Sequence, residues 1–230
     1  MVAWIRVNKL GGHVNTLVRI AVLSSSSLLV GSAASAERKM TADKQCYLFA
    51  DEIKFVGEGF APHTRIDLFT SLNGAPPSSS GDITTGPRGI IEGQTKGPES
   101  GSQPTIRDFM IEGRENNDQS KAARVVVKVA VLAVFPEIVG YDNTNGSAEL
   151  NVQGFIGEPF LYAHYILDGK HFKTVKVGKL EGPCGTLKMK YKKFPFAPKA
   201  GMWDIQFDAR DNYLARENPY ILHQTSVTKK

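Results

Sequence analysis

Scarcity is the first guide to this chain. Two cysteines among 230 residues allow at most one internal disulfide. No apolar run reaches the ~20 residues that a membrane-crossing helix requires. Long amphipathic helices are missing too, because nothing beyond residue 36 repeats its apolar side chains at a helical period. An excess of one charge is also lacking once the first 36 residues are set aside. The whole chain carries 28 basic and 23 acidic residues. Without Arg6, Lys9 and Arg19 the remainder is 25 against 23. So even a balance removes the electrostatic case for nucleic acid, which is not expected as a partner.

Those first residues have a character of their own. Positive charge comes first, then the apolar run "IAVLSSSSLLVG", then small residues ending in Ala34-Ser35-Ala36. That order matches a secretory signal peptide over 1–36, cleaved after Ala36. The expectation is a secreted, extracytoplasmic protein with no transmembrane segment in its mature part. An oxidising compartment makes Cys46 and Cys184 a disulfide candidate. If they pair, closing so long a loop is worth roughly 4–5 kcal/mol. If they do not, each is a small buried apolar side chain.

Beyond the leader, short alternating runs are separated by Gly, Pro, Asn and Asp, the pattern of an all-β protein. "CYLFADEIKFVGEGF" and "TRIDLFTSL" read as strands, and "NGAPPSSSGD" as a loop. "ARVVVKVAVLAVF" is the strongest strand signal, with Val125, Val127, Val129 and Val131 on one face. "PEIVGYDNTNGSA" marks a boundary rich in turn formers. After it come "ELNVQGF", "FLYAHYIL", "KHFKTVKVG", "GTLKMKYKKF" and "GMWDIQFDA". Asp168-Gly169 between alternating runs predicts a type I′ hairpin. The expected architecture is two small β-sandwich domains in tandem, at 42–136 and 147–228.

Several constellations invite a chemical reading. In "GTLKMKYKKF", alternation places Lys188, Lys190 and Lys192 on one side and Leu187, Met189 and Tyr191 on the other. That is a half-buried strand with a wet lysine face rather than a base-stacking surface. Cys184 as a nucleophile would need an imidazole or helix N-terminus beside it, and "GPCGT" is a turn entering a strand. With Asp168-Gly169 as the turn, Ile166 pairs with His171 and His164 with Lys173, making the histidines diagonal neighbours. Two imidazoles fall short of a zinc ligand set, so they read as exposed or half-covered rings and no metal site is assigned. Asp204, Gln206 and Asp208 share a face opposite Trp203, Ile205 and Phe207. Asp204 and Asp208 stand about 13 Å apart along a strand, too far for a glycosidase pair, and read as a solvated face. Gly57-x-Gly59 lacks the third glycine and the helix of a dinucleotide site, so no cofactor is expected. Asn145-Gly146-Ser147 reports a surface turn.

"VGEGFAPHTRIDLF" and "ITTGPRGII" resemble the early strands of Ig-like repeats in bacterial surface and secreted proteins. The stretch from "GFIGEPF" to "GMWDIQFD" resembles a related module of uncharacterised exported proteins, mainly actinobacterial. The resemblance implies a non-enzymatic exported sandwich with no catalytic residues. Its partner would be an unknown protein or a cell-envelope glycan. A carbohydrate- or cell-wall-binding module is the alternative, with Tyr162 as its hint. A hydrolase using His164 or His171 with Asp204 or Asp208 is the rival from another class, and it requires those groups to converge.

Overall fold

The computed structural model describes residues 37–99, 105–137, 147–216 and 219–228. The expected leader and Asn145-Gly146 lie outside the described residues. Among the described residues, fifteen strands account for the regular structure, with a single 3₁₀ turn at Gln119–Lys121. The first eight are β1 (Lys39–Ala42), β2 (Cys46–Leu48), β3 (Glu52–Glu58), β4 (Arg65–Leu72), β5 (Ser78–Thr84), β6 (Ile91–Lys96), β7 (Arg107–Glu115) and β8 (Ala122–Ala130). They form two sheets, ordered β1-β3-β6 and β2-β8-β7-β4-β5. The remaining seven are β9 (Ala133–Glu137), β10 (Ser147–Gln153), β11 (Phe160–Leu167), β12 (Lys170–Lys179), β13 (Leu187–Lys192), β14 (Gly201–Asp208) and β15 (Ile221–Val227). Their sheets are β9-β10-β13 and β15-β14-β11-β12.

In chain order these are the same arrangement twice. With β2 left out of the count, the last two strands of each set join the third and fourth in the larger sheet, and the first two join the fifth in the smaller one. That division of strands is the immunoglobulin-type sandwich. The first set adds β2, which runs parallel to β8. Alternation of inward apolar side chains, broken at bulges, gives each set its own core. Ile53, Phe55, Ile66, Ile111, Val127 and Val129 fill the first. Leu161, Tyr165, Phe194, Trp203, Ile205 and Phe207 fill the second.

A turn device recurs in both. Gly59-Phe60 and Gly86-Pro87-Arg88-Gly89 in the first set correspond to Gly154-Phe155 and Gly182-Pro183-Cys184-Gly185 in the second. Gly89 and Gly185 have φ of 69° and 57°. A Cβ on either would stand 1.9 Å from the carbonyl oxygen of Phe60 or Phe155 respectively, so only glycine fits. Cys184 therefore sits in a repeated corner, where its carbonyl accepts from the Gly154 amide at 2.8 Å.

Cys46 and Cys184 are bonded, with Cα atoms 5.3 Å apart. Both are buried, and with Ala130 they form a small apolar cluster against Ile106 and Ile156. The bridge thus spans the two sandwiches. The valine-rich stretch is two strands rather than one. β8 closes the first set, and β9 pairs with β10 of the second. The tract "NGAPPSSSGD" is likewise half strand: Asn73-Gly74 turn with positive φ, and Ser78 onward pairs with β4 as an exposed edge. Serine and glycine suffice there because an edge strand exposed on both faces packs nothing.

Candidate functional site

The outward face of the second set's larger sheet gathers the titratable groups. Asp168 and Gly169 turn with φ of 47° and 77°, as a type I′ hairpin requires. Ile166 faces His171 across the hairpin, but the register then shifts between Tyr165 and Ile166. His164 consequently pairs with Thr174, not Lys173. One extra residue in β12 is the physical reason, since a bulge sets two residues against one. Its effect is to bring a hydroxyl between the two imidazoles. The Thr174 Oγ1 lies 2.7 Å from His164 Nδ1 and 3.0 Å from His171 Nε2.

On its other flank His164 meets β14. Its Nε2 is 3.0 Å from Asp208 Oδ1. Since the carboxylate accepts, Nε2–H donates to Asp208 and Nδ1 is free to accept the Thr174 hydroxyl proton. Thr174 can then accept from His171. Gln206, the strand neighbour of His164, donates to Asp208 Oδ2 at 2.8 Å.

The segment between β14 and β15 closes over this array. Asp208 accepts from the Arg210 amide at 2.8 Å, and Gln206 donates to the Leu214 carbonyl at 3.0 Å while accepting from the Arg216 amide at 3.2 Å. Tyr213 stacks on His171 with ring centroids 4.8 Å apart and planes 5° from parallel. His164 is 0% exposed, Gln206 1% and Asp208 3%. These are corrections. His164 is not an exposed or half-covered ring, and Gln206 and Asp208 are not a solvated face, because the loop replaces water as their hydrogen-bond partner. Burial alone would raise the Asp208 carboxyl. Hydrogen bonds from His164, Gln206 and the Arg210 amide outweigh it and hold the group below the usual carboxylate range. Burial, reinforced by the neighbouring His164, lowers His171.

Carboxylate, imidazole and hydroxyl in line have the order of a nucleophile activated by an oriented base. Here the hydroxyl is shared between two imidazoles and the base is sealed. Gln206 and Asp208 of the array hold the covering loop through its backbone.

Of the carboxylates considered, Asp208 joins this cluster and Asp204 does not; Asp204 instead accepts from Gln224 at 2.9 Å. Among the described residues no three His, Cys, Asp or Glu side chains gather as a metal-binding set. The His164 and His171 centroids are 6.1 Å apart, with Thr174 between their nitrogens. Gly57 and Gly59 end β3 at a turn that leads to a strand, not a helix. Lys188, Lys190 and Lys192 are exposed and alternate with half-buried Leu187, Met189 and Tyr191. What sequence reasoning missed was the cover, Arg210 to Arg216, and the hydroxyl of Thr174. The cover's length was a usable signal, since "ARDNYLARENPY" is too long for a plain hairpin turn.

No protein-family model matches the chain, and no curated protein matches it. Among solved structures, one similarity is to a red sea bream transglutaminase, at 9% identity and a TM-score of 0.29, covering 84% of this chain and 31% of that one. Another is to a tetra-tandem repeat in the extending region of a large adhesion protein, at 11% identity and a TM-score of 0.28, covering 84% and 49%. The chain thus spans about a third of the first and half of the second.

Proposed function

We propose that this is an exported, non-enzymatic protein of two Ig-like sandwiches, of the kind found in tandem in bacterial surface and secreted proteins. It acts by binding, or as a structural component, at or outside the cell envelope. The observation that carries the reading is the fate of the one imidazole–carboxylate pair among the described residues. His164 and Asp208 meet, yet both are buried: His164 bonds Thr174 and Asp208, Asp208 also accepts from Gln206 and the Arg210 amide, and Gln206 holds the Leu214 carbonyl and the Arg216 amide. A buried pair whose valences are filled by its own chain is a scaffold for a displayed loop. The leader-like sequence and the Cys46–Cys184 bridge both suit an oxidising compartment outside the cytoplasm. No helix among the described residues is long and apolar enough to cross a membrane.

The test is a pull-down of residues 37–230, folded and oxidised, against envelope fractions of the producing cell. Specific retention of a component that a heat-unfolded control does not retain is expected. Turnover of an ester, peptide or glycoside panel that disappears in His164→Asn would end the reading and favour a hydrolase. The carbohydrate-binding alternative draws on Phe172, which is 43% exposed on β12.

A further inference from the structure

One edge of the second sandwich concentrates cations. β12 ends the larger sheet and β13 ends the smaller one, and the two lie together: a Cβ on Gly178 would meet Leu187 Cδ2 at 3.0 Å. Exposed lysines flank this edge on both sides: Lys173 beside Phe172, Lys176 and Lys179 on the outward face of β12, and Lys190 and Lys192 on the outward face of β13, with Lys199 nearby. Among the described residues none of these six is in an ion pair. The first sandwich neutralises several of its cations instead, through Arg38–Glu115, Arg65–Asp67, Arg114–Glu112 and Lys128–Asp108.

Protection against edge-to-edge pairing does not account for this. The corresponding edge strand of the first sandwich, β5, reads Ser-Ser-Ser-Gly-Asp-Ile-Thr and carries no lysine. Aromatic rings are set among the ammonium groups. Lys199 Nζ is 5.5 Å from the Phe172 ring centre, and Lys173 Nζ is 5.5 Å from that of Phe196. Those two rings are themselves 5.5 Å apart. Phe172 is open to solvent although it packs T-shaped against Trp203, ring centroids 5.3 Å apart. A rigidly backed, exposed ring with the Lys199 ammonium beside it offers two kinds of contact at once. The ring face takes the C–H face of a sugar, and the lysines take its negative substituents.

We infer that the β12–β13 edge is a docking surface for an acidic polysaccharide. The charged groups steer and hold the polymer, and Phe172 selects a sugar ring over a bare polyanion. This rests on the binding-module reading and names the partner's chemistry.

The experiment measures binding of the purified, oxidised chain to alginate, with dextran, inorganic polyphosphate and anionic phospholipid vesicles as comparison probes. At about 50 mM salt, alginate should bind and dextran should not, with affinity falling about tenfold or more by about 200 mM. Lys173→Gln/Lys176→Gln/Lys199→Gln should weaken alginate at least about tenfold, while Lys121→Gln in the first sandwich changes it less than about twofold. Phe172→Ala should weaken alginate several-fold and leave polyphosphate unchanged. Near-ultraviolet circular dichroism checks that each variant is folded. Absence of alginate binding at low salt overturns the inference. So does equal binding of alginate, polyphosphate and vesicles that ignores Phe172→Ala, which means a general polyanion surface. If envelope pull-down succeeds unchanged with the triple lysine variant, this edge is excluded while the binding-module reading stands.

Discussion

The outward faces of the two larger sheets occupy equivalent places and meet different ends. Phe69 stands opposite Glu112 in the first sandwich as His164 stands opposite Gln206 in the second. Arg114 likewise corresponds to Asp208. In the first, Arg114 bonds Glu112 at 2.5 Å and lays its guanidinium over the Phe69 ring at 4.1 Å, a compact ion pair and cation–π contact in which the side chains themselves cover Glu112. In the second, the same three positions form a buried network. The strands do not explain the contrast, because their pairing is the same. The connection does. Six residues, 116–121, join β7 to β8, whereas twelve, 209–220, join β14 to β15. A short turn leaves the face to be covered by its own side chains; a long one folds back and must find partners for its own amides and carbonyls. Gln206 and Asp208 supply them.

Four measurements would break or sharpen that comparison. The largest effect should come from removing the link between the halves. Cys46→Ser with Cys184→Ser, or full reduction, should cost about 4–5 kcal/mol, as expected for a bridge closing 138 residues of separation. Thermal unfolding should then resolve into two transitions, one for each core; a single unshifted transition would refute this. Next come the paired corners. Gly89→Ala and Gly185→Ala should each cost roughly 2–4 kcal/mol, since both force a Cβ onto a carbonyl oxygen in a left-handed backbone. Strongly unequal costs in denaturant titrations would contradict the equivalence of the two sandwiches.

Exchanging residues across the outward faces is the sharpest comparison, with a smaller effect. His164→Phe should cost about 2–3 kcal/mol by orphaning Thr174 and Asp208, and Phe69→His less than about 1 kcal/mol. Hydrogen exchange should show 209–216 released in the first variant and no matching change at 116–121 in the second.

The smallest effect is with pH, and its sign follows from the shifts. Burial lowers His223 as well as His171, so each binds its proton more readily unfolded than folded. Their contribution is whole above the ordinary histidine value of 6.5 and is lost as pH falls through the lower folded values. Asp208, also lowered, adds a loss below the ordinary carboxylate range. Acidification from pH 7 should therefore loosen the 209–216 cover before the first sandwich responds. Equal acid sensitivity of both loops would remove the distinction.

Reading the chain by period-two alternation captured the local chemistry well. The lysines of β13, the Trp203-Ile205-Phe207 core face and the Asp168-Gly169 turn stand where their neighbours in sequence place them. The repeated Gly-Phe and Gly-Pro-x-Gly corners were equally present in the letters and could have revealed the duplication. The valine run was harder, because alternation continues across Val131 and Leu132, where one sandwich ends and the next begins. Side-chain alternation, turn chemistry and the all-β class are short-range properties, and a sequence determines them by itself. Tertiary structure alone decided that Cys46 and Cys184 meet, that a bulge puts Thr174 between two histidines, and that a loop hides His164 and Asp208 from water. Each of those depends on which distant backbone arrives at a given face, and no local period encodes it.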